Sequence, residues 1–188
     1  MNRPVARDPY SILPPQPKFL LTSTDITDGE MLPVSATADG GNVSPQLSWE
    51  GFPGDTKSFL LTCFDPDAPR EGGVWHWIVA NIPVSVTSIP AGSSGSIVKI
   101  ITSRFKRPPS SVGAAEAMDL PNSAGSVGYM GAMPPKGDRV HRYFFAVHAL
   151  DVEHLELPHG RKTSAALAAA TAVPHTIARA VLVGTYQR

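Results

Sequence analysis

Apolar positions along this chain fall in short bursts, and most of the bursts read as strands. Residues 19–22 form a brief apolar run, and Asp28-Gly29 behind it is a turn signal. Residues 47–49, 58–64 and 74–82 are rich in β-branched and aromatic side chains and are bounded by Pro, Gly or Asp, which predicts further strands. Residues 141–150 are the longest strong strand candidate. Near the C-terminus the period changes. Residues 164–171 are alanine-rich, and alanine is the best helix former. Pro174 interrupts, and Ile177, Ala180, Val181 and Gly184 then follow helical spacing, so a second short helix is expected there. The pattern predicts a mainly β, α+β chain with short peripheral and C-terminal helices.

Residues 1–18 are proline-rich and polar and read as an N-terminal arm, with 19–188 as one domain. Inside that domain, residues 91–117 carry no clear pattern and read as a mobile loop or insertion. Its basic segment, Lys99, Arg104, Lys106 and Arg107, reads as solvated charge, because four charges are too few to dominate binding.

Composition narrows the function classes. With 42% apolar and 17% charged residues among 188, the chain can bury a core and is not disordered. Nineteen prolines and sixteen glycines argue against a helical bundle. Sixteen basic and sixteen acidic residues cancel, so no global field favours nucleic acid or an anionic membrane, and anion recognition must be local. The single Cys63 excludes an intrachain disulfide and a cysteine zinc site, and reads as a buried inert thiol. No secretory signal or membrane span is apparent, so a cytoplasmic address is expected.

Three groups carry candidate chemistry. Asp65-Pro66-Asp67-Ala68-Pro69 sets two carboxylates between prolines at a strand end, where Pro66 and Pro69 fix the backbone path. In 74–78, alternation puts Val74, His76 and Ile78 on one face and Trp75 and Trp77 on the other. Taken alone, a histidine there reads more readily as a satisfied core group than as a ligand contact. The third group runs from Gly131 through Pro134-Pro135 to His141-Arg142-Tyr143. His141 and Tyr143 share a face as oxyanion donors, whereas Arg142 points away toward a structural carboxylate, Asp65 or Asp67. The Pro-Pro turn and Tyr129 are candidate cavity walls.

An ordered set of motifs then stands out. Ser44-Pro45-Gln46-Leu47-Ser48-Trp49, Thr56-Lys57-Ser58-Phe59, the run from Asp65 to Pro69, Trp75-His76-Trp77 with Asn81-Ile82-Pro83, and Pro134-Pro135 with His141-Arg142-Tyr143 follow one another. Ile177-Ala178-Arg179-Ala180 and Gly184-Thr185-Tyr186 close the series. Together they resemble the phosphatidylethanolamine-binding protein (PEBP) family, most of all its bacterial Raf-kinase-inhibitor-like branch. One departure is Ser123, where that branch carries an aspartate on the pocket rim.

The resemblance implies an antiparallel β-sandwich with peripheral helices and a shallow pocket for phosphate-type anions such as the phosphorylethanolamine head group. It carries the ligand-binding role to Asp65, Asp67, His76, Gly131, Pro134, His141 and Tyr143, with Pro66, Pro69 and Arg142 as support. Binding is expected to depend on His141 and not on a surface histidine such as His159. A homodimer is the expected assembly. Neither cofactor nor metal is expected, nor catalysis, since no activated nucleophile or nucleophile elbow is visible. Two alternatives remain at this level: an inhibitor directed at a kinase or serine protease, and a weak hydrolase using the His/Asp/Tyr pocket.

Overall fold

The computed structural model describes residues 4–95, 117–158 and 163–188. The basic segment from Lys99 to Arg107 and His159 lie outside them. In chain order the elements are β1 (Leu20–Thr22), β2 (Leu47–Glu50), β3 (Ser58–Asp65), β4 (Val74–Pro83), β5 (Ser88–Ile89), β6 (Met118–Asp119), β7 (His141–Leu150), α1 (Ala165–Ala172) and β8 (Thr176–Tyr186). Every strand that the pattern predicted forms.

The strands make two antiparallel sheets, one ordered β1-β2-β5 and the other β6-β4-β3-β7-β8. Leu47 and Trp49 of the small sheet meet Phe59, Leu61, Trp77, Phe145 and Val147 of the large one, and this interface is the main core. β3 is central and buried along nearly its whole length, which is why it reads as a continuous apolar run. A second core fills the opposite face of the large sheet, where Ala165, Ala168 and Ala172 of α1 pack on Leu60, Ile78 and Leu150. Their methyl groups let the helix lie close to the sheet. Ser164 caps α1, its hydroxyl accepting from the Leu167 N–H at 3.1 Å.

The expected second C-terminal helix is a strand. A short 3₁₀ turn at Val173–His175 leads directly into β8, which pairs with β7 over its whole length. Thr176, Ala178, Ala180, Leu182 and Gly184 are all buried, a period of two. Alanines at mixed spacing satisfy the helical template equally well, and pairing with β7 decides between them.

The N-terminal arm is tied down across the outer face of the large sheet. Tyr10 packs edge-on against Phe144 and His148, with the Arg179 guanidinium 4.7 Å from its ring centre.

Candidate ligand-binding site

The site forms where β3 ends and turns into β4. At Gly73 (φ +70°) an added Cβ would lie 2.5 Å from the Phe64 ring and 2.7 Å from the Asp65 carbonyl oxygen, so only glycine closes this turn. The return strand is offset. Cys63 pairs with Trp77 while Phe64 pairs with Trp75, so His76 is the extra residue of a β-bulge. The bulge breaks the alternation expected from sequence: Trp77 enters the main core, whereas Trp75 lies tilted against Phe64, with ring centres 4.4 Å apart, and packs on the second core. His76 meets Tyr143 edge-on instead, with ring centres 5.1 Å apart.

A cavity of about 330 Å³ opens here. Its polar lining comes from Asp65, Arg70, His76, Ser123, His141 and Tyr143. Pro69, Met130, Met133, Pro134 and Pro135 give it apolar walls. Among the sequence candidates, Asp65, Pro69, His76, Pro134, His141 and Tyr143 therefore come together around one space. Pro66, Asp67, Gly131 and Arg142 lie outside its lining. So does Tyr129, whose hydroxyl donates to the Ala36 carbonyl at 2.7 Å and whose ring belongs to the main core.

Asp67 and Gly131 make contacts outside the lining. Asp67 takes a two-pronged contact from Arg142 (Nε at 2.7 Å, Nη2 at 3.0 Å) and accepts the Ala6 N–H at 3.3 Å. Arg142 Nη2 also donates to the Ala6 carbonyl at 2.7 Å, and Arg139 donates to that of Pro4 at 2.8 Å. This node anchors the arm. Burial works against the Asp67 carboxylate, but Arg142 and the two backbone N–H groups outweigh it and hold the group below the usual carboxylate range. Gly131 lets two backbones approach, since a Cβ there would lie 2.5 Å from the Thr37 carbonyl carbon.

The histidines differ from each other. His141 Nδ1 meets Asp65 Oδ2 at 2.8 Å and its Nε2 meets Asp138 Oδ2 at 3.2 Å. Both ring nitrogens are thus engaged by buried carboxylates, and the N–H expected to serve an anion is turned inward. Burial raises the Asp65 pKa, and His141 opposes that rise. His76 Nδ1 donates to the Met130 carbonyl at 2.7 Å. Burial lowers its pKa, against the pull of the Met130 backbone and Asp65. Tyr143, only 1% exposed, has a hydroxyl with no hydrogen-bond partner among the described residues. Burial and then the Asp65 charge push its pKa far up, so the phenol keeps its proton.

Arg70, Asp138, Met130 and Met133 are site residues that the sequence reading does not single out. Arg70 follows Asp65 in the same turn, and Asp138 sits three residues before His141, so proximity along the chain is the available signal. Among the described residues no cluster of three or more His, Cys, Asp or Glu is arranged to hold a metal. No helix among them is long and apolar enough to cross a membrane.

Comparison with known proteins agrees with this architecture. Residues 22–187 match the family model described as phosphatidylethanolamine-binding protein. The UPF0098 protein YbhB of Escherichia coli is 40% identical over 145 residues, covering 74% of this chain and 83% of that protein. The UPF0098 protein YbcL of the same organism is 38% identical over 174 residues, covering 90% and 87%. Its crystal structure, described as a new member of the mammalian PEBP family, superposes with a TM-score of 0.75 at 37% identity, covering 91% of this chain and 99% of that one. A PEBP homologue from Chlamydia trachomatis gives 0.69 at 31% identity, covering 91% and 98%. The names of these relatives describe no enzymatic activity. On this match of sequence and fold, the chain belongs to the phosphatidylethanolamine-binding protein family.

Proposed function

We propose that this protein is a non-catalytic binding protein that takes a phosphate-type head group into the cavity between β3, β4 and β7. The observation that carries this reading is Tyr143, which lines the cavity and whose buried hydroxyl has no protein partner among the described residues. Leaving such a donor unpaired costs about 1–3 kcal/mol, which a ligand oxygen accepting its proton would restore. Arg70 adds a positive charge at the rim, where it donates to the Ser123 carbonyl at 3.2 Å. Ser123 brings no carboxylate to that rim, and Asp65 directs its charge at His141. A few such bonds, offset by ordering and desolvation, correspond to dissociation constants of roughly micromolar to millimolar.

Catalysis is disfavoured by the lining. The Ser123 hydroxyl accepts the Trp75 N–H at 2.9 Å and has no base as a hydrogen-bond partner among the described residues, while Cys63 is fully buried away from the cavity with its thiol pKa pushed up by burial. The test is an NMR titration of the histidine rings with inorganic phosphate and phosphorylethanolamine. Saturable shifts centred on His76 are expected. Unmoved signals at ligand concentrations of about 10 mM, well above those dissociation constants, would overturn the reading.

A further inference from the structure

The hydrogen bonds around the cavity restrict the ionisation state of what it holds, provided that the cavity is a phosphate site as proposed. The Met130 carbonyl can only accept, so the 2.7 Å contact fixes the His76 proton on Nδ1. In the neutral ring Nε2 then carries a lone pair, and the ring lines the cavity. Tyr143 does the opposite, because its buried hydroxyl has no acceptor among the described residues, so its proton is free for a ligand oxygen that reaches it. The cavity therefore presents one acceptor and one donor, from rings 5.1 Å apart.

Charge points the same way. The groups that face His76 are Asp65 from β3, His141 and Tyr143 from β7, and Arg70 from the intervening turn, with Asp138 behind His141. One exposed guanidinium against two buried carboxylates, Asp65 and Asp138, favours a single negative charge over two. Burial also resists charging His76 itself. A volume of about 330 Å³ holds a phosphate with a short ester arm.

We infer that the cavity selects a phosphate group that still carries a proton, as in free phosphate or a phosphomonoester monoanion, with its P–OH donating to His76 Nε2 and another oxygen accepting from Tyr143. A phosphodiester or a sulfate has the same shape and no proton to give. A site built around a ligand hydroxyl rejects analogues that lack it, because its buried acceptor is left unpaired.

The experiment is calorimetric titration of the full chain with methyl phosphate, dimethyl phosphate and sulfate at about pH 6 and about pH 8, bracketing the second phosphate ionisation. Methyl phosphate is expected to bind at least about tenfold more tightly than the other two at the lower pH, with the advantage shrinking at the higher. Long-range ¹⁵N NMR reads the His76 tautomer in the same complex, where Nε2 should remain unprotonated. Sulfate or dimethyl phosphate binding as tightly as methyl phosphate, or a protonated Nε2, overturns the inference while leaving an anion site intact. Failure of all three ligands overturns the reading beneath it. A vesicle arm separates the sources: phosphatidylcholine vesicles with phosphatidic acid that compete with methyl phosphate assign a lipid phosphomonoester, and vesicles that do not compete assign a soluble one.

Discussion

The His76 ring stands edge-on to the Tyr143 ring, 5.1 Å between centres and 80° between planes, although β3 separates the strands that carry them. Each ring leans across a strand spacing to reach the other. The bulge makes this contact, because regular pairing would have kept His76 on the face of Ile78. The lining of the cavity thus depends on a backbone irregularity as much as on side-chain identity.

Tyr143→Phe removes a buried donor that the protein itself does not satisfy. The variant is expected to be at least as stable as the natural chain, with a gain of up to about 1 kcal/mol and a melting temperature up to about 3 °C higher. Thermal unfolding followed by circular dichroism measures this. A loss of about 1 kcal/mol or more would mean that the hydroxyl has a structural partner.

His148 should make stability fall in mild acid. Burial, helped by Arg179, lowers its pKa to about 3. The unfolded chain takes up a proton near pH 6.5 that the folded one refuses, so stability is lost as pH drops below about 6.5, at about 1.4 kcal/mol per unit. Between about pH 6.5 and pH 5, urea unfolding should cost the natural chain roughly 2 kcal/mol more than His148→Gln, whose amide oxygen can still accept from Arg179. Parallel pH profiles would contradict the assignment.

The two cores and the pocket are partly legible in the order of residues alone. The apolar runs at β3 and β4 and the alternation of β7 mark three central strands, and the spacing of His141 and Tyr143 puts them at one cavity. The bulge at His76 is not legible, because no residue type marks it. Arg142 does meet one of the two carboxylates expected for it, Asp67, but the tie from Asp67 to the arm is not legible, since its partner Ala6 lies 61 residues away. β8 reads as a helix since its alanines fit two periods at once.

Asp67 should matter to the arm. Asp67→Asn weakens two charge-assisted contacts with Arg142 and keeps the side-chain shape. Tryptic cleavage after the exposed Arg7 should then speed up roughly tenfold, matching about 1.4 kcal/mol of lost anchoring. An unchanged cleavage rate would show that the arm is held without the Asp67 charge.

Gly131→Ala drives a methyl group into the Thr37–Ala38 backbone, which cannot move aside as a flexible side chain would. A loss of about 2–3 kcal/mol is expected by chemical denaturation. A neutral substitution would mean that the two segments separate readily.

The most direct test of the binding site is a side-by-side titration of the natural chain and Tyr143→Phe with inorganic phosphate, followed through the His76 ring signals. The expected result is saturable binding by the natural chain and an affinity about tenfold weaker in the variant, the worth of one hydrogen bond to a charged acceptor. Equal affinities would contradict the assignment of the Tyr143 hydroxyl as the donor that receives the ligand.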